Sequence, residues 1–147
     1  MNLQLLTNII EHARISSAIG KRLTTVKGLR RPLDDMIKTV HELEEQLQSW
    51  KESLPPLIRP GTDIKHNNLP SRTHLSYVLY LRFAYLGSLT AIHSIFFYPW
   101  NLPRFGADQN PALATQIVLS TEAVVEASRN IILTTKQIEV DASSPIW

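Results

Sequence analysis

The chain contains no cysteine, which removes disulfides, thiolate zinc sites and cysteine nucleophiles in one step. That usage fits a reducing compartment. No Asn-x-Ser/Thr sequon occurs, and the opening run MNLQLLTNIIEHAR lacks the basic start, apolar core and small-residue cleavage site of a secretory signal, so nothing argues for export. Glycine is sparse, and Gly20, Gly28, Gly61, Gly87 and Gly106 form neither a phosphate-cradling loop nor a dinucleotide fingerprint. No Gly-x-Ser-x-Gly elbow is present. Among His12, His41, His66, His74 and His93 no two fall four residues apart. His41-Glu42 opens like a zinc-protease helix, but Glu45 stands where the second histidine must be. Glu42, Glu44 and Glu45 read as a solvated helix face. The expectation is therefore no enzyme, no cofactor, no zinc or other metal, and no catalytic residue.

Acid is missing from one strongly basic stretch. Arg14, Lys21, Arg22, Lys27, Arg30 and Arg31 follow one another with no acid between, in a chain whose net charge is +2. A weak nuclear-import signal fits these residues. No groove-reading helix or set of stacking aromatics accompanies them, so direct DNA binding by this chain is not expected.

What is present is a chain that collapses. It has 147 residues, 44% hydrophobic and 19% charged, enough for one domain with a core and too few for two independent ones. Leu75 to Tyr98, LSYVLYLRFAYLGSLTAIHSIFFY, is almost continuously apolar, with Arg82 its only formal charge. The rest reads as its cover. Leu3, Leu6, Ile9, Ile10, Ala13 and Ile19 share one face of a first helix, about 3–20. Leu33, Met36, Ile37, Val40, Leu43, Leu47, Trp50 and Leu54 give the clearest helical period, over 32–54, with Asp34 and Asp35 in its first turn and Pro55-Pro56 as its stop. A loop over 55–70 carries four prolines. A third helix over 71–98, capped by Ser71 or Thr73, ends at Pro99, Trp100 and Pro103. After a loop over 99–110, a fourth helix over 111–138 starts at Asn110-Pro111, with Leu113, Ile117, Val118, Val124, Val125, Ile131, Ile132 and Ile138 on a broad apolar face. Gly87 inside the third helix costs about 1 kcal/mol relative to alanine.

Two stretches carry a resemblance. Leu47-Gln48-Ser49-Trp50-Lys51-Glu52-Ser53-Leu54-Pro55 resembles the leucine, tryptophan, Leu-Pro element of the regulatory domain of fungal-specific transcription factors, the middle homology region downstream of zinc binuclear-cluster modules. The proline-rich loop and the long helix with His74-Leu75-Ser76-Tyr77 and Tyr85 to His93 follow in the family's order. Glu126-Ala127-Ser128-Arg129-Asn130-Ile131-Ile132 is similar to a later helix, and Ser144-Pro145-Ile146-Trp147 to the entry of the next. One departure is His93-Ser94-Ile95, where the family often has His-Arg-Pro. The resemblance implies an all-α fold with four main helices, forming part of a larger helical regulatory domain over 1–147, without its DNA-binding zinc cluster. It further implies transcription regulation in the nucleus, through protein partners or self-association. Trp50, Leu54, Tyr77, Tyr85 and Ile131 stand as structural core candidates rather than binding residues.

Two other readings compete. A small membrane-anchored helical protein would span through about 75–98, although Arg82 and His93 lie inside that span. A self-contained helical adaptor or ligand-binding protein would have a pocket among its tyrosines.

Overall fold

A computed structural model describes residues 3–63, 74–99, 101, 103 and 110–138, and among them every regular element is helical. Helix α1 (Leu3–Ile19) runs into a wide π-type turn at Gly20–Thr24. A single-turn helix, α2 (Val26–Leu29), follows, with Thr25 Oγ1 accepting from the Gly28 amide at 3.1 Å. Gly28 is required by a close approach: a Cβ there would lie 2.4 Å from the Arg22 carbonyl oxygen.

Helix α3 (Leu33–Ser53) has Pro32 at its cap position and Asp34 and Asp35 in its first turn. Its predicted stripe is buried: Met36, Val40, Leu43, Leu47 and Trp50 all face inward. Past its end, Arg59 folds back and donates from Nη2 to the Glu52 and Leu54 carbonyls at 2.7 and 3.0 Å. A cation there satisfies orphan carbonyls and suits the negative end of the helix dipole. The segment expected as a plain loop thus opens with a 3₁₀ turn at Pro56–Ile58 and turns again at Gly61, whose φ of 98° favours glycine. Residues 64–70 of that loop lie outside the described residues.

Helix α4 (Leu75–His93) is shorter than the expected 71–98. It starts after His74, and the expected caps Ser71 and Thr73 lie outside the described residues. Its C-terminus tightens into a 3₁₀ turn at Ser94–Phe96, and the buried Asn101 donates to the Ile95 carbonyl at 3.0 Å, holding the chain as it turns away. Helix α5 (Pro111–Thr135) begins as expected, with Asn110 Oδ1 accepting from the Leu113 amide at 3.1 Å, and ends short of 138. The 99–110 connection lies mostly outside the described residues.

Helix α4 is the centre, packing against α1, α3 and α5. Only a helix apolar around its whole circumference can be covered on so many sides. Val78, Leu81 and Ile92 are fully buried and join Leu43, Leu47, Trp50, Leu54, Phe96 and Leu113 in one core. The stretch Leu75–Phe96 is also long and apolar enough to cross a bilayer by length and composition.

The inward faces of α1 and α5 differ from the predicted ones. In α1 the buried residues are Asn8, His12 and Ile19, while Leu3 and Ile10 are exposed. In α5 they are Leu113, Gln116, Ser120, Ala127 and Thr134, while Val118, Val125, Ile132 and Ile138 are exposed. Asn8, His12 and Ser120 face inward because each meets a hydrogen-bonding partner on α4, and Gln116 bonds to Ser120 within α5.

Candidate functional site

Two polar seams run between the helices. In the first, Trp50 Nε1 donates to the Asn8 carbonyl at 3.0 Å, and Asn8 Nδ2 donates to the Tyr77 hydroxyl at 3.1 Å. His12 Nε2 lies 3.0 Å from the Ala84 carbonyl and 2.9 Å from Ser88 Oγ. The carbonyl can only accept, so the tautomer that fits carries the proton on Nε2. The His12 and Trp50 rings pack at 5.0 Å. Burial pushes the His12 pKa below its usual value, against the opposing pull of the Ala84 carbonyl.

In the second seam, Gln116 Nε2 donates to Ser120 Oγ at 3.0 Å, and Ser120 Oγ lies 3.0 Å from His93 Nδ1. His93 Nε2 faces Glu44 Oε2 at 3.6 Å, too long for a hydrogen bond but close enough for an ion pair if the ring is charged. Burial lowers the His93 pKa and outweighs Glu44, which pulls it up. The order Ser120, His93, Glu44 is that of a nucleophile, base and orienting acid. Ser120 is fully buried, however, so no substrate carbonyl can reach its oxygen. This array ties α3, α4 and α5 together and has the burial of a packing device.

Elsewhere Arg22 of the basic stretch is bonded to Glu42, which lowers the Glu42 pKa. Among the described residues no three metal-ligating side chains converge.

A cavity of about 440 Å³ opens between α4, α5 and the turn at Gly61. Lys51 comes from α3, Pro60, Gly61 and Asp63 from the turn, Arg82, Tyr85, Leu86 and Leu89 from α4, and Ala123, Ala127 and Leu133 from α5. Its size falls in the range of small-molecule sites. Arg82 Nε is buried without a hydrogen-bond partner, and so is Oε1 of Gln137, another lining residue. Leaving such a group unpaired costs about 1–3 kcal/mol. Burial lowers the Arg82 pKa, with Asp63 opposing through space, yet a guanidinium remains charged. Lys51 Nζ sits over the Tyr85 ring, 4.9 Å from its centroid, and burial raises the Tyr85 pKa, with Glu44 adding to the rise.

Of the core candidates, Trp50 and Leu54 are buried at 4% and 1% exposure. Tyr77 and Tyr85 are half-buried and pack on the edge of the core, and the Tyr85 hydroxyl donates to Gln48 Oε1 at 3.4 Å. Ile131 is half-buried on α5. The seams and the cavity bring together Trp50, Tyr77 and Tyr85 with residues not picked from the sequence: Asn8, His12, Ser88, Ser120 and Gln137. Arg82 was visible as the lone charge of the apolar run, which was its only signal.

These features define an all-helical domain built around a central apolar helix, with buried histidines that join helices. Over 97% of its length the chain is distantly homologous to part of fungal transcription factors: it is 31% identical to an ABC-transporter-regulating transcription factor of Aspergillus fumigatus and 30% identical to one of Aspergillus oryzae. The chain spans 16% of the length of each of these relatives. No protein-family model matches it, and no solved structure matches it significantly.

Proposed function

We propose that this chain is a segment of the helical regulatory domain of a fungal-specific transcription factor, the middle homology region, and that it acts in the nucleus through protein contact. The observation that carries this reading is the distant homology, which runs along 97% of the chain and falls on transcription factors. The all-α architecture agrees with it. Control of ABC-transporter genes, the role named for the relatives, is the target class this reading implies. Packing of α4 by three helices favours a core helix over a membrane span.

The contact surface is the outer face of α5, and its partner is a second copy. Val118, Val125 and Ile132 recur every seven residues, with Thr121, Ser128 and Thr135 three further on, and all six are exposed. An antiparallel α5 pair sets Val118 against the partner's Thr135 and Val125 against the partner's Ser128. The same register puts Glu122 beside the partner's Arg129, and the two-fold axis makes that pair twice.

The direct test is to fuse the 147-residue chain to an unrelated DNA-binding module and read a reporter in a fungal host. A shift in reporter output of about threefold or more is the expected result. Unchanged output with a folded, nuclear fusion sinks the reading.

A further inference from the structure

The cavity between α4 and α5 has a feature that neither transcription nor α5 pairing uses. Two cations line it, and neither has a carboxylate within ion-pairing distance among the described residues: Arg82 and Lys51 take part in none of the salt bridges there. The acids near them are otherwise engaged or remote. Glu126 accepts from Arg129 at 3.1 Å and from Asn130 at 2.9 Å. Asp63 is exposed and reaches Arg82 only through space. Arg82 therefore presents a buried N–H with nothing to receive it.

Apolar lining comes from Leu86 and Leu89, which follow Arg82 along α4, and from Ala127 and Leu133 of α5. An anionic head and an apolar body are thus both provided for, in a space of about 440 Å³, which suits a ring-sized body and excludes a bulky lipid. The head is selected by Arg82, whose buried Nε–H lacks an acceptor; because Asp63 and Glu126 also lie along the lining, a single negative charge suits the site better than a dianionic phosphate.

We propose that this cavity binds a small amphipathic monocarboxylate, its head on Arg82 and Lys51 and its apolar body against α5. Guanidinium and carboxylate share a planar fork, so the Arg82 Nε–H gains the acceptor it lacks. Lys51, held over Tyr85, adds a point charge to the lining.

The test uses isothermal titration of the full 147-residue chain with three probes of one shape: 2-naphthoate, 2-naphthol and 2-naphthylmethylamine. Saturable one-to-one binding of naphthoate is expected, about tenfold or more tighter than naphthol, with the amine weaker still. Arg82→Gln should weaken naphthoate by about ten- to a hundredfold and leave naphthol within about threefold. Lys51→Gln should weaken naphthoate by a smaller factor, and it decides the matter if Arg82→Gln does not fold by circular dichroism. Ala123→Phe should block all probes. Equal affinity for the three probes would mean an apolar hole only and would overturn the proposal. So would the absence of saturable binding at millimolar naphthoate, or unchanged naphthoate affinity in both charge variants. None of these outcomes bears on the reporter assay, which reads protein contact.

Discussion

His93 sits where three helices meet, 2% exposed, with Ser120 of α5 on one ring nitrogen and Glu44 of α3 facing the other. Burial holds its pKa, and that of His12, below the ordinary histidine value of about 6.5. The unfolded chain therefore takes up protons first as pH falls. Stability is fully present above about pH 6.5 and is lost as pH drops from there through the lowered folded values. Chemical denaturation between about pH 8 and about pH 5 should show this fall. His12→Gln and His93→Gln should each flatten it while lowering stability at neutral pH. An identical pH slope in both variants would show that carboxylates, not these rings, set it.

Two glycines give opposite predictions at the same scale. Gly87 is exposed, and a Cβ there would meet nothing within 4 Å, so Gly87→Ala should stabilise by about 0.5–1 kcal/mol in urea melts. At Gly28 the added Cβ would meet backbone, which cannot swing aside, and Gly28→Ala should destabilise by about 1–3 kcal/mol. A stable Gly28→Ala would mean that the turn between α1 and α3 can open.

Helix α3 was legible in the sequence down to individual residues, because its stripe is apolar at a clean period and its Pro55-Pro56 stop is local chemistry. Helices α1 and α5 were legible as helices but not in their orientation. The residues they bury include Asn8, His12 and Ser120, and the partners that offset those burials lie far off in sequence, as with Tyr77 for Asn8. Hydrophobic periodicity cannot see a polar group whose partner is on another helix. The cavity was hidden for the same reason: Arg82, Lys51 and Leu133 share no local pattern. For α5 the consequence is an apolar outer stripe, and the proposed antiparallel pairing makes it measurable. The Arg129–Glu126 pair lies on the exposed surface, and the guanidinium has donors to spare for the partner's Glu122 without releasing Glu126. Glu122→Arg should shift the chain toward monomer in light scattering, since both symmetric contacts become like-charged. Arg129→Glu should do the same, and the double variant should restore the dimer. Failure of the double variant to recover what each single one loses would remove this register.

Across the whole molecule, the question is whether α4 is a core helix or a bilayer span, since its composition allows both. The two differ in what its most enclosed residues touch. Leu81 is fully buried, within a core that includes residues of α1, α3 and α5, whereas a span would present much of its circumference to lipid. Placing a carboxylate at a buried apolar site without a partner costs several kcal/mol, comparable with the whole stability of a domain. Leu81→Asp should therefore abolish the cooperative helical melt of a chain purified without detergent, while Tyr80→Asp, at a position 43% exposed, should leave it largely intact. A membrane span predicts a different pair of results: recovery of the parent chain only in detergent, and similar losses at both positions, because lipid tolerates neither charge. The contrast between adjacent residues carries the test, since one step along α4 turns the side chain from the core to the outer surface.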